Sequence, residues 1–149
     1  MEAIIFIGIP ASGKSTFYLQ RFFDTHIRIN LDMLRTRRRE QVLLDACIAA
    51  KQPFVVDNTN VTKADRARYI LPAKAAGFRV VGYYFRSSIG ESIERNRGCA
   101  RLPAVPERGI VAKYHGLQLP ALEEGFDQLY YVAISAEGNF TVQEWVDGL

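Results

Sequence analysis

Residues 3–16 read Ala-Ile-Ile-Phe-Ile-Gly-Ile-Pro-Ala-Ser-Gly-Lys-Ser-Thr, so an apolar run turns through the spacing Gly-x-x-x-x-Gly-Lys-Ser and enters an amphipathic stretch at Phe17–Phe23. A buried-type strand, a glycine-rich turn and a helix in this order form a phosphate cradle. Gly8 and Gly13 let the backbone close tightly on a phosphate. Successive N–H groups through Ala11, Ser12, Gly13, Lys14, Ser15 and Thr16, at the mouth of the helix, point partial positive charge into the turn. Lys14 is expected to reach the β and γ phosphates of a nucleoside triphosphate. The Ser15 hydroxyl is expected to ligate a Mg²⁺ that otherwise keeps its waters and the phosphate oxygens.

At 149 residues and 48% hydrophobic composition, the chain is expected to form one α/β domain over 1–149, with a core that needs no staples. No run approaches the ~18 apolar residues of a membrane span, and the first residues open directly in a strand without a charged, then apolar, leader. A cytoplasmic protein without membrane contact is expected. Cys47 and Cys99 lack metal-type spacing, which argues against a disulfide framework or a zinc site. The net charge is only +3, yet 14 of the 19 basic residues are Arg, concentrated in Arg35–Arg39 and Arg86–Arg108. Guanidinium forks suit phosphate oxygens, so the pattern favours a polyanionic substrate while the small net charge disfavours a surface that coats nucleic acid broadly. Arg37, Arg38 and Arg39 fit a solvated helix face as well as phosphate contact.

Apolar runs and helical patterns alternate along the chain. Strands are predicted at Ala3–Gly8, Ile27–Ile29, Phe54–Asp57, Arg79–Phe85 and Tyr130–Ile134, and helices at Gly13–Asp24, Asp32–Lys51, Lys63–Gly77, Glu91–Gly98 and Arg108–Leu119. Thr62-x-x-Asp65 reads as a capping box, Arg101–Glu107 as a Pro-containing loop, and Thr141–Leu149 carries no signal. The expected fold is α/β of P-loop NTPase type, a mainly parallel sheet with helices on both faces and an arginine-bearing lid at about 88–107.

Ligands in such sheets sit at the carboxyl ends of the strands. Three motifs fall there: the phosphate turn, Asp57-Asn58-Thr59-Asn60 after Phe54-Val55-Val56, and Asn30-Leu31-Asp32-Met33-Leu34-Arg35 after the second strand. Asp57 is placed to hold Mg²⁺ or one of its waters, with an Asx turn as the plainer reading. Asn58 stands where hydrolytic motors usually carry Glu. Asp32 and Arg35, three apart, are expected to share a helix face, a carboxylate to accept a hydroxyl proton and a guanidinium to hold a neighbouring phosphate. The plainer reading has Asn30 capping the helix and Asp32 complementing its positive end. Arg95, Arg97 and Arg101 lie in a segment flanked by Gly90, Gly98, Pro103 and Pro106 that reads as a lid closing over the transferring phosphoryl. His26 and His115 read as structural, and Trp145 with the tyrosine pairs as core.

Taken together, these motifs resemble the kinase domain of polynucleotide 5′-hydroxyl kinases over most of the chain. The matching pieces are Gly8–Thr16, Asn30-x-Asp32, Val56–Asn60 followed by Arg66 and Arg68, the arginine-bearing segment, Val105-Pro106 and Glu124-Gly125-Phe126-Asp127; the first is generic, and the Asp57–Asn60 and Glu124–Asp127 runs make the resemblance more specific. It implies Asp32 as general base toward a nucleic-acid 5′-hydroxyl, Arg35 and Asn60 on the acceptor side, and Lys14 and Ser15 on ATP and Mg²⁺. Arg97 with Arg95 or Arg101 would meet the transferring phosphoryl, Arg101 also touching ATP. Leu31 departs from the Arg that often precedes the catalytic Asp there. Kinases of nucleosides, sugars or antibiotics use the same scaffold, and a non-catalytic ATP-binding protein is a further alternative.

Overall fold

The computed structural model describes residues 1–86, 90, 94, 106–135 and 137–146. Among these, β1 (Glu2–Ile7), β2 (Ile27–Ile29), β3 (Phe54–Val56), β4 (Arg79–Phe85), β5 (Gln128–Ile134) and β6 (Phe140–Glu144) form one six-stranded sheet in the order β2-β3-β1-β4-β5-β6. β6 runs antiparallel to β5, and the other pairings are parallel. This is the expected α/β fold.

β1 lies inside the sheet, and Ala3 to Ile7 are at most 1% exposed. A strand covered on both faces is apolar at every position rather than at alternate ones, which is how the run reads. Ala3, Ile5 and Ile7 join Leu44 and Cys47 of α3 (Arg37–Ala50) and Tyr69 and Ile70 of α4 (Lys63–Ala75). Ile4 and Phe6 join Phe17 and Tyr18 of α1 (Lys14–Arg21) in a second cluster. Phe17 meets Phe6 and Phe85 edge-on, with ring centroids 5.8 and 5.3 Å away. Burial of one such side chain is worth roughly 1.5–3 kcal/mol, so the helix that starts at the phosphate turn is anchored by its own aromatic face.

The helix expected over Asp32–Lys51 is two helices. α2 (Leu31–Leu34) ends at Arg35, whose φ is 76°, and Thr36, extended, begins α3 by accepting a hydrogen bond from Arg39 N–H. Thr36 offers a cap that competes with helix continuation, and the chain takes it. Asp32 and Arg35 therefore do not share one continuous helix face: Arg35 stands beyond the end of α2. The Thr141–Leu149 segment also holds more than expected, because Phe140–Glu144 forms β6. Its turn closes through Ser135 N–H to Asn139 O at 2.7 Å and Asn139 N–H to Ser135 Oγ at 3.1 Å. The strand predicted at Tyr130 starts at Gln128, and α5 covers Glu107–Gly116. The Glu91–Gly98 helix lies outside the described residues apart from Glu94, as does the 101–107 loop apart from its last two residues.

The capping box at Thr62 and Asp65 is present. Further along α4, Arg66 is 0% exposed and donates from Nε and Nη2 to the Glu124 carboxylate, at 2.7 and 3.1 Å, and from Nη1 to Asn60 O at 2.9 Å. Asp127 accepts from Lys74 Nζ at 2.7 Å and from Val80 N–H at 2.8 Å. The Lys74 bond first, and then the Val80 bond, hold its carboxyl below the usual range. The Glu124–Asp127 run thus fastens the start of β5 to α4 and β4. Among the described residues no helix is long and apolar enough to cross a membrane.

Candidate active site

The turn after β1 is built as the glycine spacing requires. Gly8 N–H donates to Thr59 O at 3.0 Å, and a Cβ at Gly8 would stand 2.8 Å from Ser12 Oγ. Ala11 (φ 62°) and Gly13 (φ 95°) are left-handed, the reversal by which successive N–H groups converge on an anion. Gly13 caps α1 without a side chain, leaving the helix mouth open to a ligand. Lys14, 8% exposed, donates from Nζ to Gly8 O at 3.1 Å, Ile9 O at 2.8 Å and Ser12 Oγ at 3.3 Å, which places its ammonium within the turn.

β2, β3 and β1 are parallel neighbours, so their carboxyl ends open on one edge. Asp57, just past β3 and 2% exposed, accepts at Oδ2 from Ser15 Oγ at 2.9 Å and from Arg28 Nε at 2.8 Å. Arg28 Nη2 also donates to Ser15 Oγ at 3.0 Å. Asn30 Nδ2 donates to Asp57 O, and Asn30 Oδ1 accepts from Met33 N–H at 2.9 Å, capping α2. Asn58 Oδ1 accepts from Leu31 N–H at 2.8 Å. The short helix that carries Asp32 in its first turn is thus tied by two amide side chains to the loop that holds Ser15.

A buried carboxylate supports this loop from behind. Glu40, 2% exposed, accepts from Arg37 Nη1 at 2.8 Å, Tyr69 Oη at 2.9 Å and Asn58 Nδ2 at 3.0 Å. Burial first, and then the Glu40 charge, push the Tyr69 phenol up to about 12. Three donors on one carboxylate satisfy it away from water. They fix Asn58 between α3, α4 and the start of α2.

The phosphate turn, Ser15, Asp57 and the α2 terminus are therefore gathered on one edge of the sheet. Asp32 and Arg35 are both exposed, Arg35 outside the helix. Asn60, expected at the acceptor, is instead 4% exposed and donates to Phe6 O at 2.8 Å, fastening the loop after β3 to β1. Arg95, Arg97 and Arg101 lie outside the described residues, with most of the 88–107 segment. His26 pairs with Glu2 at 3.0 Å, in keeping with a structural role. Arg28, Glu40 and Tyr69 are missed by reading the sequence. Arg28 alone carried a signal, a polar residue between Ile27 and Ile29 in a strand that ends at the site.

The donor set suits Mg²⁺. It offers hard oxygens only, a carboxylate and a hydroxyl 2.9 Å apart, the sparing protein ligation this ion accepts beside water and phosphate. The Arg28 cation lies against both groups, so the position already attracts positive charge. Among the described residues no three His, Cys, Asp or Glu side chains gather as a metal cage.

Comparison with known proteins bears on the family and the fold. The pattern of the AAA domain family matches residues 4–110. A bifunctional polynucleotide phosphatase/kinase of Schizosaccharomyces pombe is 27% identical over 131 residues; the match takes in 84% of this chain but only 32% of that protein. Among solved structures, Chaetomium thermophilum Kti12 in complex with ADP-AlF3 superposes with a TM-score of 0.64 at 17% identity, covering 91% of this chain and 92% of the other. A gluconokinase from Sinorhizobium meliloti 1021 gives 0.62 at 17%, covering 90% and 83%. At these identities the two structures establish the fold alone, the mainly parallel α/β sheet described above.

Proposed function

This chain belongs to the AAA domain family, and on that footing we propose that it transfers the γ-phosphoryl of ATP, with Mg²⁺, to a hydroxyl acceptor, foremost the 5′-hydroxyl of a polynucleotide. The observation that carries the reading is the hydrogen-bonded path from Ser15 through Asp57 to Asn30 and the first turn of α2. It joins the phosphate turn to the element bearing Asp32. The choice of acceptor is supported by the Schizosaccharomyces pombe relative, whose name includes a polynucleotide kinase and whose matching stretch spans 84% of this chain.

In this reading the turn and Lys14 hold the β and γ phosphates, while Ser15 and Asp57 hold the metal. Held by Ser15 and Asp57, Mg²⁺ would supply charge that offsets the phosphates. Asp32 takes the proton from the acceptor hydroxyl as its oxygen bonds to the γ-phosphorus and the bond to the ADP oxygen breaks. Arg35, freed from the helix by the break before Thr36, reaches the acceptor's own phosphate. Arg95, Arg97 and Arg101, which lie outside the described residues, would in this proposal supply positive charge to the transferring phosphoryl. Positioning and charge stabilisation supply most of the acceleration.

Asp32→Asn keeps the shape and removes the proton acceptor. Transfer should fall by about 10²–10⁴-fold with ATP affinity retained, whereas Lys14→Ala should weaken both. Asp32→Asn turnover near that of the wild type overturns the base assignment.

A further inference from the structure

We infer that Arg28 occupies the divalent-cation position by default, so that Mg²⁺ binds only by displacing its guanidinium from Ser15 and Asp57. The inference rests on the reading of Ser15 and Asp57 as the metal pair. Asp57 is 2% exposed, and a carboxylate so buried requires a compensating charge. Arg28 supplies it through Nε at 2.8 Å and spans to Ser15 Oγ at 3.0 Å through Nη2, touching the two oxygens the metal needs. A dication and a guanidinium sharing the same oxygen atoms within hydrogen-bond distance repel strongly where water is scarce. One excludes the other.

Even while paired with Asp57, the guanidinium is partly open to solvent and lies near an aromatic ring. Arg28 is on β2, the edge strand, with its side chain 27% exposed and its Cζ 6.0 Å from the centroid of the Tyr18 ring. An aromatic face is a favourable seat for a guanidinium. Arg28 thereby keeps the Asp57 carboxylate neutralised at low metal concentration and sets the concentration at which the metal takes over.

The test uses the full chain with ADP, titrated with MgCl₂ while the melting temperature is followed, for wild type, Arg28→Gln and Asp57→Asn. Arg28→Gln should lower the half-saturating Mg²⁺ concentration about fivefold, the factor set by losing a partly exposed ion pair. Asp57→Asn should lose the Mg²⁺ response. An Arg28→Gln titration that overlays the wild type, with the Asp57→Asn response lost, overturns the role of Arg28 and leaves the metal pair standing. An Asp57→Asn response equal to wild type brings down the metal pair and the inference with it. A second measurement needs no variant: in ¹⁵N-labelled wild type, the Arg28 Nε–H signal should be protected from solvent exchange and lose protection as Mg²⁺ and ADP saturate. Protection kept at saturation also overturns the inference.

Discussion

At Gly13 the backbone turns with φ 95°, and a Cβ there would stand 3.0 Å from Ile134 Cδ1 and 3.1 Å from Phe140 Cε1. Both the backbone and the β5–β6 hairpin thus demand glycine where α1 begins. Gly13→Ala forces a left-handed residue at a cost of about 1–2 kcal/mol and shifts the turn against the hairpin. The expected outcome is a modest fall in melting temperature together with a large loss of ATP affinity in calorimetry. Unchanged affinity would show that this turn is not where the phosphates bind. The requirement for Gly13 was legible in the motif, because the spacing encodes the turn directly. The contact between Arg28 and Asp57 was not: Asp57 lies just past another strand, and only the strand order brings the two together.

Two buried charge networks hold the elements around the site. Arg66 is fully buried against Glu124, and truncating one member of such a pair leaves the other charge uncompensated. Arg66→Ala should cost about 3–5 kcal/mol, read as a lowered denaturation midpoint, and Glu124→Ala should cost a similar amount. An effect below about 1 kcal/mol, the level of a surface pair, would contradict this placement. The Glu40–Tyr69–Asn58 network acts on pH dependence. The phenol of Tyr69 is raised from 10.0 to about 12, so the folded chain retains a proton that the unfolded chain has lost between these values. Its stabilising contribution is complete below pH 10 and falls as pH rises toward 12. Tyr83, also raised to about 12 by burial, adds to the decline. Denaturation midpoints measured from pH 9 to 12 should drop less steeply in Tyr69→Phe than in wild type; equal slopes would contradict the buried phenol. Strand and helix order was readable because parallel strands are apolar throughout and helices repeat at 3.6. The break at Arg35 was hidden, since residues 32–50 keep an unbroken helical pattern that the Thr36 cap interrupts. β6 was hidden because a short edge strand alternates only Phe140 and Val142 against polar neighbours.

Over the whole molecule, the order β2-β3-β1 places α2 with Asp32, the buried Asp57 and the glycine-rich turn on three adjacent strand ends. Parallel strands joined through helices open on the same edge, where ligands of such sheets sit. In the proposed function, the choice of acceptor turns on the surface around α2, the element that carries Asp32. The most direct measurement is incubation of the chain with γ-labelled ATP and Mg²⁺ beside 5′-hydroxyl oligonucleotides, nucleosides, sugars and aminoglycosides. The account predicts label at the oligonucleotide 5′ end, lost in Asp32→Asn. Label confined to small hydroxyl compounds would contradict the acceptor, and label on none of them would contradict phosphoryl transfer.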